Sequence, residues 1–350
     1  MSKRFHSAGI LILLLLATSA QAADPIKLRI GGKLAHFFFA TDQDRLPGKN
    51  LNTTGGFTDT EIYFSGKTTL DNGIEIKATV QLEAEAKNDH NADEQYVAFS
   101  GGFGRVRVGQ KEGPNAGMIE NPVPQALLTT DQEVIRDAIE PRTGVVIKDA
   151  FTFKRFVDDV MGISYTSPSI GGLKIGVGYH PTTDSVGGVF DQGGAKDNNA
   201  FDVSAAYAGE FEGGSYRVAG GYFHSSSRDG GTDGEKAMNL SLGLAYGGWD
   251  IGGSYVDVTP DDQQDQRAWE VGVAYTVGPW GVSSNYFHGT KSLFAGAPVK
   301  DEVDRFVLQV TYKLARNIKI GIAGFYAEQQ PAGGQKTEGS GVLGGLSLKF

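Results

Sequence analysis

Charged side chains fall unevenly along this 350-residue chain, and their spacing limits the chemistry they could do. Between Gly113 and Ala150 six acids (Glu120, Asp131, Glu133, Asp137, Glu140 and Asp149) stand against Arg136, Arg142 and Lys148, a balance of −3. Upstream, Arg29, Lys33, Lys67, Lys77, Arg105 and Arg107 fall on one alternating row of five segments, so they share a face if those segments are strands. Fixed charges of opposite sign on facing walls set a field across the gap, which orients polar solutes and opposes apolar ones. That is steering rather than bond-making. The plainer use of each base is solvation or pairing with a cross-strand acid, as Glu75, Glu83 and Glu85 offer.

Groups that could make or break bonds do not assemble. His36, His90, His180, His224 and His288 are scattered singly, and are expected at rims and in loops. Ser225-Ser226-Ser227 beside His224 reads as a polar loop, because no orienting acid lies near it in the strand pattern. Gly101-Gly102-x-Gly104 precedes a strand, so it is a hairpin turn rather than a phosphate loop, which needs a helix N-terminus. Asp257, Asp261, Asp262 and Asp265 form an acidic run; it could offer carboxylate oxygens to Ca2+, or bridge lipopolysaccharide through it, but such runs are more often simply solvated. The expectation is no enzyme, no catalytic residues, no metal centre and no cofactor beyond that calcium.

The elements that position these charges are strands. Alternation marks sixteen: 26–39, 57–70, 73–87, 94–100, 103–112, 159–167, 173–180, 200–210, 215–225, 236–246, 249–258, 267–277, 280–291, 302–315, 318–329 and 341–350. Short turns such as Asp71-Asn72, Gly101-Gly102, Gly247-Gly248 and Gly278-Pro279 follow every even strand, and long polar connections follow every odd one. Tyr165, Tyr207, Tyr246, Tyr275, Tyr312 and Phe350 end one set of rows, and Tyr179, Tyr222, Tyr255, Tyr286 and Tyr326 end the other. Antiparallel neighbours would place the two sets at opposite rims, as aromatic girdles. Leu240-Leu242-Leu244 and Phe306-Leu308-Val310 read as a lipid-facing row. A soluble sandwich shares the period but not the girdles or the regular division of loops. The expected fold is all-β, a sixteen-stranded antiparallel transmembrane β-barrel, closed because an open sheet edge is not tolerated in lipid.

The start of the chain reads as a secretory leader, residues 1–22: Lys3 and Arg4, an apolar stretch from Gly9 to Ala17, then Ala20-Gln21-Ala22. Cleavage there leaves 23–350 as one domain and, without Lys3 and Arg4, moves the net charge from −9 to −11. There is no cysteine, hence no disulfide or thiolate site, and the acidic balance argues against nucleic acid.

Two stretches carry a family resemblance: Tyr96-Val97-Ala98-Phe99-Ser100-Gly101-Gly102-Phe103-Gly104-Arg105-Val106-Arg107-Val108-Gly109, and Gly162-Ile163-Ser164-Tyr165-Thr166-Ser167-Pro168 with Gly171 to Tyr179. Here the chain resembles the general porins of Gram-negative bacteria, particularly the α-proteobacterial type. The resemblance implies an outer-membrane homotrimer passing ions and small hydrophilic solutes. It implies a loop folded inward after the fifth strand, which here is 113–158, and a terminal Phe350 read by the barrel-assembly machinery. Glu120, Asp131, Glu133, Asp137 and Glu140 would then face the basic wall across a constriction, with a modest cation preference. The competing expectations are a solute-selective porin and, from another class, a barrel enzyme or adhesin.

Overall fold

A computed structural model of the chain describes residues 25–84, 92–119, 157, 159–183, 198–226, 234–259, 265–292 and 299–350. The first eight strands are β1 (Lys27–Gln43), β2 (Thr54–Thr69), β3 (Glu75–Glu83), β4 (Glu94–Gly101), β5 (Gly104–Gln110), β6 (Met161–Thr166), β7 (Leu173–Thr182) and β8 (Asn198–Phe211). The other eight are β9 (Gly214–Ser226), β10 (Lys236–Tyr246), β11 (Trp249–Thr259), β12 (Gln266–Val277), β13 (Trp280–Ser292), β14 (Lys300–Ala315), β15 (Ile318–Gln330) and β16 (Thr337–Lys349). Each pairs antiparallel with its chain neighbours, and β1 pairs with β16, so the sheet closes into a barrel with no free edge.

The two faces differ in what they present. Leu240, Leu242 and Leu244 on β10 are 54, 55 and 44% exposed, while the alternate residues Asn239 and Ser241 are 5 and 6% exposed. The soluble sandwich is thereby excluded, since it would bury the leucines. On β14 the outward Phe306 and Leu308 are exposed and the inward Arg305, Val307 and Gln309 are buried. Aromatic rings mark both ends of the outward face. Trp249 lies 4.7 Å from Tyr275 and Trp280 lies 4.7 Å from Tyr312 at the short-turn rim, while Tyr179 lies 4.8 Å from Phe201 and Trp269 lies 5.3 Å from Tyr286 at the other. Girdles at both interfaces bracket the hydrocarbon layer.

Turn chemistry follows residue type. Gly247 and Gly248, with φ of 57° and 88°, join the paired residues Tyr246 and Trp249, the double positive φ that a type I′ hairpin requires. One turn is shifted by a residue from its expected place: Gly101 pairs with Gly104, so the reversal is at Gly102-Phe103. Several strands outrun their alternation at the loop-side rim. β1 continues to Gln43 and β16 begins at Thr337, since the ladder between them runs on to Gln43↔Gly339 after apolar alternation has ended. Alternation reports lipid, whereas pairing needs only a neighbour.

Phe350 extends the closing β1–β16 ladder by one position. Phe350 and Gly32 exchange backbone hydrogen bonds at 3.0 Å in both directions, and the Phe350 ring is 59% exposed on the outward side. Deleting Phe350 removes two ladder bonds and a lipid-facing ring from the seam. The expected result is a lower fraction of heat-modifiable, folded barrel on gels, with Phe350→Leu recovering much of it; an unchanged fraction for the deletion would refute that role.

Candidate channel lining and the segment after β5

The inner face is built from the strand rows that alternate with the lipid-facing ones. Register places Arg29, Lys33, Lys67, Lys77, Arg105 and Arg107 together on that face, because Lys33 pairs with Glu61, Lys67 with Lys77, Lys77 with Ala98, Ala98 with Arg107 and Ser100 with Arg105. Lys33 is ion-paired with Asp59 and Lys67 with Glu75. The Arg107 guanidinium donates to the Glu112 carbonyl at 2.9 Å and to Ser164 Oγ at 3.4 Å, and its carbon sits 5.7 Å from the centre of the Tyr96 ring. Arg105 donates to Ser100 Oγ at 3.3 Å. At least two of the bases are therefore paired with neighbouring acids.

The chain leaving β5 turns inward onto the wall formed by β8, β9 and β10. The Asn115 backbone N–H donates to the Asp202 carboxylate of β8 at 3.3 Å, and the Asn115 and Asn239 amides exchange hydrogen bonds at 3.2 and 2.8 Å. Ser204 Oγ lies 3.2 Å from the Met118 sulfur, and Arg217 of β9 donates to the Met118 carbonyl at 2.6 Å. Met118 and Ile119 pack with Ala206 and Ala219. On the returning side, Val157 and Val160 pack against Ala200, Phe223, Ala237 and Val256.

Glycines make the hollow that receives this segment. A side chain at Gly176 would begin 2.6 Å from Pro114 Cβ and 2.9 Å from Met118 Cε; one at Gly221 would collide with the Asn115 amide. The spacing Gly176-x-Gly178, with Gly221 on β9, is the signal in the sequence that could have located the contact.

Glu120, Asp131, Glu133, Asp137 and Glu140 lie outside the described residues, as does Asp149. Sequence reasoning missed Asn115, Asp202, Asn239 and Arg217, which anchor the segment. It also placed every histidine at a rim or in a loop. His180 is instead 2% exposed on the inner face, with Nε2 3.6 Å from Asp202 Oδ1, and His36 stands within β1. His90 lies outside the described residues. Asp257 is not a free loop ligand: it belongs to β11 and accepts from Arg267 at 2.8 Å and Tyr255 at 3.1 Å, while Asp261 and Asp262 lie outside the described residues. Asp93, Glu94 and Asp159 bring three carboxylate oxygens within 4.8 Å of one another, but Lys111 is ion-paired with Glu94.

Nor is the inner face uniformly polar. Ala35, Phe37, Ala323, Phe325 and Leu343 form a buried cluster on it. The rings lie over glycines of the next strand: Phe37 pairs with Gly345 and Phe325 with Gly341, where an added Cβ would sit 2.5 Å from Phe325 Cζ. Rings covering glycines in this way shield exposed backbone and pin the register.

A sequence family described as Gram-negative porin matches residues 9–330. The chain belongs to the Gram-negative porins. No curated protein matches it. Among solved structures, this porin is similar to an anion-selective porin from Comamonas acidovorans (15% identity, TM-score 0.61, covering 93% of this chain and 100% of the other). It is also similar to the outer-membrane channel DcaP of Acinetobacter baumannii (14%, TM-score 0.64, covering 94 and 97%). A third is the trimer form of Vibrio cholerae OmpT (12%, TM-score 0.60, covering 93 and 100%). As a porin of the outer membrane it is a channel for passive diffusion of solutes rather than an enzyme.

Proposed function

We propose that the 113–158 connection narrows this porin from within, that it passes ions and small hydrophilic solutes, and that it works as a homotrimer. The observation that carries the narrowing is the reciprocal Asn115–Asn239 amide pair, which draws the chain from β5 onto the inner face of β10. Connections longer than ~12–15 residues without their own elements are usually functional or disordered, and this one is anchored near both ends. Glu120, Asp131, Glu133, Asp137 and Glu140 would then face Arg29, Lys33, Lys67, Lys77, Arg105 and Arg107 across water. The trimer form of Vibrio cholerae OmpT supports the oligomer. Further parts of the reading are a cleaved 1–22 leader, Phe350 as the handle for the assembly machinery, and outer-rim carboxylates that meet lipopolysaccharide through Ca2+.

Planar-bilayer recording of the purified mature protein tests this. Large ohmic currents closing in threes are expected, whereas saturation by one solute would replace this reading with a solute-selective porin, and silence would overturn it. The mature charge of −11 and the acidic connection call for a modest cation preference in a salt gradient. An anion-directed reversal potential would reject that sign.

A further inference from the structure

Lysines stand directly opposite lysines along one arc of the inner face. Round the closed barrel β14, β15, β16, β1, β2 and β3 are successive neighbours. Near their short-turn ends β14 to β16 carry Lys313, Lys319 and Lys349 inward, and β1 to β3 carry Lys27, Arg29, Lys67 and Lys77. Four Cα pairs in this arc join like charges: Lys313↔Lys319, Lys349↔Lys33, Lys27↔Lys67 and Lys67↔Lys77. Two of the lysines in these pairs have acids at hand: Lys67 is ion-paired with Glu75, and Lys33 is ion-paired with Asp59 and stands opposite Glu61, so the site is built on Lys27, Arg29, Lys77, Lys313, Lys319 and Lys349. Glu210 and Asp250 lie on β8 and β11.

Like charges directly opposite on a sheet destabilise it, and a run of them concentrates that cost in one place. Small monovalent ions screen exposed charges over a Debye length of about 8 Å at physiological salt. A multivalent anion does more, since one molecule meets several ammonium groups at once. Lysine suits this, being a compact point charge on a flexible stem that can follow ligands of different shape. Lys27, Arg29, Lys313, Lys319 and Lys349 are all exposed, so the arc is open to solutes.

We infer that this arc is a binding site for small multivalent anions, phosphate-rich or polycarboxylate solutes, at the short-turn mouth of the channel. Short turns face the periplasm in outer-membrane barrels, so the site meets anions from that side and holds them at the mouth. The inference rests on the porin being an open channel, but it concerns sidedness rather than conduction.

Inorganic tripolyphosphate added to one chamber during planar-bilayer recording tests it. The chain has no cysteine, so Asp71→Cys in the β2–β3 turn, modified by an impermeant thiol reagent, reports which chamber the turns face. Reduction of current is expected at a roughly tenfold lower concentration from the turn side than from the loop side, a preference of about 1.4 kcal/mol. The triple variant Lys313→Gln, Lys319→Gln, Lys349→Gln should keep heat-modifiable mobility and ohmic current and lose the asymmetry. Equal sensitivity from both sides, or asymmetry that survives in the folded variant, would overturn the site. Absence of any current before tripolyphosphate is added would instead overturn the channel reading.

Discussion

Leu242→Arg is expected to cost the folded barrel about 2–4 kcal/mol, the penalty of a guanidinium near the middle of the lipid face. Gly243→Arg, one position along, is expected to cost at most about 1 kcal/mol. Leu242 is 55% exposed between two exposed leucines, midway along the outward row from Met238 to the girdle residue Tyr246. Gly243 is on the inner face, and a Cβ there would meet nothing within 4 Å. Its cross-strand partner is Arg217, so the new charge meets a like one, but that guanidinium is committed to the Met118 carbonyl. Strand and introduced side chain are the same in the two variants, so their difference reports the solvent on each side together with the leucine given up at 242. Trp249, Trp269 and Trp280 supply a fluorescence signal for urea-dependent unfolding in lipid vesicles. Equal costs at 242 and 243 would remove lipid from the outward face.

The same asymmetry explains what could be read from the chain beforehand. Strand count and facing were legible wherever two different solvents touch one strand, as in Leu240-Ser241-Leu242. They were least legible near the loop-side rim, where both faces meet water. Thr337-Glu338-Gly339-Ser340 has no apolar row, yet it pairs with β1 and β15 because ladder bonds do not depend on what the side chains face. The inner aromatics gave no signal in the sequence for a related reason. Phe37 and Phe325 pack over glycines of neighbouring strands, a fit visible only once the register is known.

The face on which each base lies was legible because a strand period of two assigns it from its own neighbours. The anchors of the long connection had no such rule. Asn115 and Asn239 are 124 residues apart, and nothing local to either specifies the other. Only the glycines mark the place, and they mark it as missing volume: at Gly176, Gly178 and Gly221 any larger residue would occupy the space of Pro114, Met118, Asp202 or Asn115. Like-charge pairing was hidden in the same way, since Lys313 and Lys319 look unremarkable until the bulged end of the β14–β15 ladder sets them side by side.

Deleting Asp131–Glu140 is expected to raise single-channel conductance, with folding and oligomer state retained. The two anchored ends explain why folding should survive. Gly113–Ile119 is held by Asp202, Ser204, Arg217 and Asn239, and Val157 and Val160 by the cluster under β8 to β14, none of which the deletion touches. What is removed is four of the acids and the apolar pairs Val134-Ile135 and Ala138-Ile139, the part proposed to stand in the aqueous cross-section. Losing those four acids together with Arg136, a net −3, should also shift the reversal potential toward anions, since the basic wall would then act with fewer counter-charges. Gly221→Leu approaches the same question from the wall. It drives Asn115 off Asn239 without shortening the chain, so it should change conductance in the same sense if the entry segment fixes where the connection lies. A correctly assembled deletion variant with unchanged conductance and unchanged reversal potential would place the connection away from the narrowest part, and the selectivity would then belong to the strands alone.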